Sequence, residues 1–216
     1  MTRPTESGPS STPYAKGSMS SLSDTTAPHG TLEALNRPPI WAWPLAVLVG
    51  FPIGGLIANV VVGPINSIAA ALAGGLIAGA VVGAAQWLAL RQLVPWIWIV
   101  ATSIGMAVGL ALGAALVDYG VSRADLVLMG AVTGLGVGAL QALVLARQGI
   151  RGSAWWAVAT PLAWALAWFV ASYVLSSNVD EQFTNFGASG ALLYGLLTSL
   201  VLALLLRRTE SQGHKT

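Results

Sequence analysis

Six apolar runs occupy the chain from Ile40 to Leu206: Ile40–Val62, Ile68–Leu90, Trp96–Val117, Leu126–Ala146, Ala154–Leu175 and Gly187–Leu206. Each is near the ~20 residues a helix needs to cross a hydrocarbon core of ~30 Å. The polar breaks between them are short, so successive spans are expected to be antiparallel neighbours. Pro64 and Pro95 mark turns, Pro95 standing where the first residue of a helix tolerates a missing N–H. The fold class that follows is all-α: a polytopic membrane protein of six transmembrane helices.

Outside the runs the composition changes. Residues 1–39 are rich in Ser, Thr, Pro and Gly and lack the apolar content to offset chain entropy, so they read as a disordered cytoplasmic tail. Residues 207–216 read as a second cytoplasmic tail. No signal peptide is visible, because the first apolar run begins near Ile40 behind a long polar segment. Over the whole chain 55% of residues are apolar and 8% charged, against about a quarter charged in ordinary globular proteins. So few charges cannot cover a water-facing surface, which makes the lipid bilayer the expected surroundings.

Charge placement sets an expected orientation. Arg3, Lys16, Arg37, Arg91, Arg147, Arg151, Arg207, Arg208 and Lys215 fall on one side of the six spans, and Arg123 alone falls on the other with Asp118, Asp125, Asp180 and Glu181. Nine against one puts the basic side, and both termini, in the cytoplasm. Trp41, Trp43, Trp87, Trp96, Trp98, Trp155 and Trp156 lie near the same ends of the spans, the depth an amphipathic indole prefers in a headgroup belt; Tyr119 and Tyr173 lie at the opposite interface. The basic residues form no patch interleaved with aromatics, so nucleic acid is not an expected partner.

Self-comparison reveals a two-helix unit used three times, over about 40–93, 94–149 and 150–206. The outgoing helices align as Trp43-x6-Gly50-x3-Gly54, Trp98-x6-Gly105-x3-Gly109 and Trp156-x6-Ala163-x3-Ala167. The returning helices align as Gly75-x3-Gly79-x3-Gly83-x2-Gln86, Gly130-x3-Gly134-x3-Gly138-x2-Gln141 and Gly187-x3-Ala191-x3-Gly195-x2-Thr198. Two spans return the chain to its starting side, so the copies share one topology, and a pseudo-three-fold axis along the membrane normal can relate them. Small residues four apart let helix backbones approach closely, a main source of association in lipid. Helix packing in the manner of a glycine zipper is therefore expected of every stripe; a glycine-lined pore is the sharper alternative.

Gln86 and Gln141 follow the small residues at i−7 and i−3 and so lie on the helix-contact face. Five residues before Arg91, Gln86 sits roughly 7.5 Å inside its helix end at 1.5 Å per residue. Thr102 and Thr160 fall at similar depth on the outgoing helices, which predicts interhelical hydrogen bonds such as Gln86 with Thr102. Two readings stay open: polar contacts that hold helices together, or a ring of Gln86, Gln141 and Thr198 at the mouth of a central path.

Catalytic chemistry finds little footing. Cysteine is absent and the two histidines, His29 and His214, lie in the polar tails; no metal and no cofactor is expected. No Asp, Glu, Lys, Arg or His occupies the middle of a span, which argues against proton or ion coupling. Gly187-Ala188-Ser189-Gly190 resembles the serine motif of rhomboid-type intramembrane proteases, but no span supplies the base such a nucleophile needs. Asp118, Arg123 and Asp125 read as solvated loop charge. Trp164 and Trp168, at i and i+4 near the bilayer midplane, read as packing, with a surface for lipid, quinone or pigment as the alternative.

Gln86-Trp87-Leu88-Ala89-Leu90-Arg91 followed by Trp96-Ile97-Trp98, with a degraded copy in Gln141…Arg147 before Trp155-Trp156, resembles a motif of uncharacterised bacterial multi-pass membrane proteins. In those proteins Gly-rich helices end in Gln-Trp-x-x-Leu-Arg. The resemblance implies a membrane location and no activity. The function expected from the residues is a non-enzymatic structural or assembly component with a membrane-protein partner or a second copy; the alternative is a channel or facilitator for a small neutral or apolar solute.

Overall fold

A computed structural model of the protein describes residues 40–174 and 188–213. Among these residues the fold is all-α, with six helices: α1 Ala42–Val62, α2 Ile68–Leu90, α3 Ile97–Leu116, α4 Arg123–Arg147, α5 Ser153–Val174 and α6 Ala188–Gly213. All six are long and apolar enough to cross a membrane, which fits an integral membrane protein. The 1–39 tail, the loop acids Asp180 and Glu181, both histidines and Gly187 lie outside the described residues.

The helix ends follow local chemistry. α1 stops at Gly63, whose φ of 81° closes a bond from its N–H to the Asn59 carbonyl at 2.9 Å before Pro64. The Ser67 hydroxyl caps α2 by accepting from the Ala70 N–H at 3.2 Å. Pro95 lies one step further out than expected: α3 begins at Ile97, and the Pro95 carbonyl accepts from the Trp98 N–H at 3.0 Å. α4 starts three residues before the expected Leu126, because Ser122 and Asp125 form a capping box. The Ser122 hydroxyl accepts from the Asp125 N–H at 3.3 Å and the Asp125 carboxylate accepts from the Ser122 N–H at 3.0 Å. Asp125 is thus a helix cap and not merely a loop charge. Arg123 stacks over the Tyr173 ring at 3.9 Å, tying the start of α4 to the end of α5. At the other extreme α6 runs past Leu206 to Gly213, into the segment read as a tail.

Each helix packs against its neighbours in sequence, and α6 packs against α1, so the six close into a ring. Small residues set the spacing at nearly every seam. A Cβ on Gly75 would fall 2.6 Å from the Ala107 Cα, and one on Gly79 2.6 Å from the Ser103 Cα, so α2 and α3 meet backbone to backbone. Gly83 abuts Ile99 on the same seam. Gly105 and Gly109 do the same for α3 against Val137 and Thr133 of α4, each at 2.7 Å. On α4 the glycines face bulk instead: Gly130 receives Trp168, Gly134 receives Pro161 and Trp164, and Gly138 receives Thr160. Gly190 meets Ala167 of α5, and Gly195 meets Pro44 of α1 at 3.0 Å, completing the circuit.

The outside of the ring is the reverse. Leu45, Val49, Ile53, Leu56 and Val60 on α1, Ile104, Val108, Leu112 and Leu116 on α3, and Leu192, Leu196, Leu200 and Leu204 on α6 are all exposed. Large aliphatic side chains on the outside, with small residues at the seams between helices, is an arrangement suited to hydrocarbon, where lipid tails are as apolar as Leu.

Candidate functional site

Three tryptophans meet on the ring axis at the end that carries Arg91, Arg147, Arg151, Arg207 and Arg208. Trp43 and Trp98 are the second residues of α1 and α3, and Trp156 is the fourth of α5. All three are fully buried. Their ring centroids are 6.1 Å (Trp43–Trp98), 5.6 Å (Trp43–Trp156) and 6.2 Å (Trp98–Trp156) apart, every pair edge to face. Such contacts contribute about 0.5–1.5 kcal/mol per pair beyond the area they bury.

Each indole then donates its N–H to the helix that precedes it around the ring. Trp98 Nε1 donates to Gln86 Oε1 on α2 at 3.1 Å, Trp156 Nε1 to Gln141 Oε1 on α4 at 3.0 Å, and Trp43 Nε1 to Thr198 Oγ1 on α6 at 2.9 Å. An indole N–H can only donate, so it fixes which end of each glutamine accepts. The Gln141 amide nitrogen is left to reach across the axis, donating to Gln86 Oε1 at 3.0 Å and to Thr102 Oγ1 at 2.9 Å. Thr102 in turn spends its one proton on the Trp98 carbonyl at 2.8 Å. Gln86, Gln141, Thr102, Thr160 and Thr198 are all buried.

Two expectations change here. The bond between Gln86 and Thr102 does not form: the indole of Trp98 engages Gln86, and Thr102, having donated its proton, needs a donor that Gln141 provides. The tryptophan belt also divides. Trp41, Trp96 and Trp155 are 67%, 64% and 60% exposed and face outward, whereas Trp43, Trp98 and Trp156 are at 0%. Depth alone does not separate them; helix face does. Trp43 and Gly50, like Trp98 and Gly105, are seven residues apart, two turns on one face. The small-residue stripe points at the neighbouring helices, so the aligned tryptophan points inward with it. Trp41 stands outside that register.

The α5–α6 hairpin departs from the α1–α2 and α3–α4 hairpins. Thr198 replaces a glutamine and has no arm to reach across the axis. Thr160 Oγ1, at the position aligned with Thr102, is fully buried with no hydrogen-bond partner among the described residues.

About 12 Å further along the outgoing helices, eight residues at 1.5 Å each, Phe51, Met106 and Trp164 fill the axis. Phe51, Trp164 and Tyr194 pack edge to face with centroids 5.2–5.6 Å apart. A cavity of about 40 Å³ adjoins this layer, lined among others by Phe51, Met106, Thr133, Trp164 and Trp168. That is room for roughly one water molecule. Trp164, singled out as an oddity at the midplane, is therefore a core residue seated on Gly134.

Chemically the site offers indole, amide and hydroxyl groups, which can donate and accept hydrogen bonds but carry no charge. Among the described residues no group of His, Cys, Asp or Glu could hold a metal ion. Comparison with known proteins finds no matching protein family, no similar curated protein and no similar solved structure.

Proposed function

We propose that this chain is a non-enzymatic structural or assembly component of a bacterial cytoplasmic membrane, built as three two-helix repeats about a pseudo-three-fold axis with its basic end in the cytoplasm. The observation that carries the reading is how the interior spends its polar groups. Trp43, Trp98, Trp156, Gln86, Gln141, Thr102 and Thr198 are occupied with one another, and the small-residue stripes are occupied with neighbouring helices of the same chain. The interior is dedicated to holding the ring. The three-fold reading draws support from three aligned tryptophans that contact one another and three aligned residues that accept from them. The Lys/Arg asymmetry supports the orientation.

With a wall of large aliphatic residues facing lipid, a partner would engage the ends of the bundle. Cross-linking in native membranes followed by recovery in mild detergent tests this. The expected result is a reproducible partner, or a second copy, joined at the turns around Arg91 or Arg147. A chain recovered alone at native abundance would overturn it.

One observation favours a second reading, a facilitator for a small neutral solute: a cavity lies inside the bundle beside Phe51, Met106 and Trp164. Solute flux into liposomes carrying the protein, compared before and after Trp98→Ala, separates the two. The structural reading expects no flux in the unmodified chain.

A further inference from the structure

The seam between α5 and α6 differs from the others. Where α1 and α3 carry Gly50, Gly54, Gly105 and Gly109, α5 carries Ala163 and Ala167. Toward the basic end this seam opens to a groove of about 250 Å³ on the outside of the ring. Trp155 and Ala159 form one wall, Val201, Leu204 and Leu205 the other, and Arg208 stands at its end. From Val201 to Arg208 the groove runs about 10 Å along α6.

We propose that this groove binds one anionic phospholipid, an acyl chain lying against Ala159, Val201 and Leu204 and the phosphate held by Arg208 and Arg151. Three observations select this occupant. The first is charge. Arg151 belongs to the turn before α5, and that turn is drawn against α6 at Gly152, where a Cβ would lie 3.2 Å from Leu205 Cδ2. Gly152 thereby puts the Arg151 turn beside a groove whose lining includes Leu205 and Arg208, and Arg207 precedes Arg208 on α6. A guanidinium has five N–H donors, so a bond made within the protein leaves others for phosphate oxygens. The second is the wall. Trp155 of α5 and Val201, Leu204 and Leu205 of α6 present bulk to the groove, whereas close helix packing in lipid favours small residues. A flexible hydrocarbon chain does not need them. The third is Trp155, 60% exposed beside the arginines, at the level where an indole meets headgroups.

Native mass spectrometry of the full chain, equilibrated with equal amounts of dioleoyl-phosphatidylglycerol and dioleoyl-phosphatidylcholine, tests the proposal. The unmodified protein should retain one phosphatidylglycerol in preference to phosphatidylcholine. Arg151→Gln/Arg208→Gln should weaken that retention about thirtyfold, at about 1 kcal/mol per arginine near a lipid surface. Arg91→Gln/Arg147→Gln, at the same end but away from the groove, should leave it unchanged. Ala159→Trp, which fills the groove and keeps the charges, should abolish it. Should that variant not fold, the two arginine pairs decide alone. Equal retention of both lipids, equal losses from the two arginine pairs, or a dimer that Ala159→Trp dissociates would each overturn the proposal.

Discussion

Replacing Gln141 by leucine removes a side chain whose hydrogen bonds reach three helices other than its own. Gln141 accepts from Trp156 at 3.0 Å and donates to Gln86 at 3.0 Å and Thr102 at 2.9 Å. The losses are unequal. Gln86 Oε1 keeps Trp98, and Thr102 keeps its bond to the Trp98 carbonyl, so each lost Nε2 bond costs about 0.6 kcal/mol, the average for membrane interhelical bonds. The Trp156 N–H, fully buried, is left with no acceptor, which costs about 1–3 kcal/mol. The total for Gln141→Leu is then about 2–4 kcal/mol. Unfolding in bicelles, followed by steric trapping, measures it. A double-mutant cycle with Gln86→Leu isolates their shared bond, with an expected coupling of about 0.6–1.7 kcal/mol. Gln148→Leu, exposed at the end of α4, should stay within about 0.5 kcal/mol of the parent. If Gln141→Leu did no more than that control, the axial network would not be holding the ring.

Glycine substitutions should separate packing from backbone strain. Gly75→Ala drives a methyl to 2.6 Å from the Ala107 Cα and 2.8 Å from the Met106 carbonyl, so α2 and α3 must part, at about 1–3 kcal/mol in the same unfolding assay. Gly63→Ala meets nothing within 4 Å but holds φ at +81° with ψ at −158°, a region essentially restricted to glycine, and should cost about 1–3 kcal/mol through backbone strain alone. Ser122→Ala removes half of the capping box and should destabilise the protein by about 1 kcal/mol, with faster amide exchange confined to the first turn of α4. In vesicles containing brominated lipid, Trp155→Phe should remove quenchable fluorescence. Trp156→Phe should remove only emission that the lipid does not quench.

How far the molecule could be read beforehand depended on which signal was asked. The spans were legible because a stretch such as Ile68–Leu90 is apolar throughout and bounded by Ser67 and Arg91, and the helix there has those limits. The start of α4 was missed although its cap is written in Ser122-Arg123-Ala124-Asp125: attention to hydropathy treated the charges as loop. Orientation about each helix axis was harder. In a water-soluble helix a polar face marks the outside, but α1 and α3 have apolar residues all round, and hydrophobicity cannot tell Trp41 from Trp43. The register of small residues can, because in lipid closeness rather than apolarity marks the inside. The pairing of Gln141 with Thr102 was beyond that register. It depends on how many protons Thr102 and Trp98 have to give, which becomes decidable only once the neighbours are known.

Trp43 lies on α1 and Thr198, which receives its N–H, on α6, 155 residues later. A growing chain can settle Trp98 on Gln86 and Trp156 on Gln141 as each helix is laid beside the one before it, but the Trp43 indole has to wait for α6. Without α6 that donor has no Thr198 hydroxyl to receive it, so the bond between α1 and α6 reports whether the ring has closed.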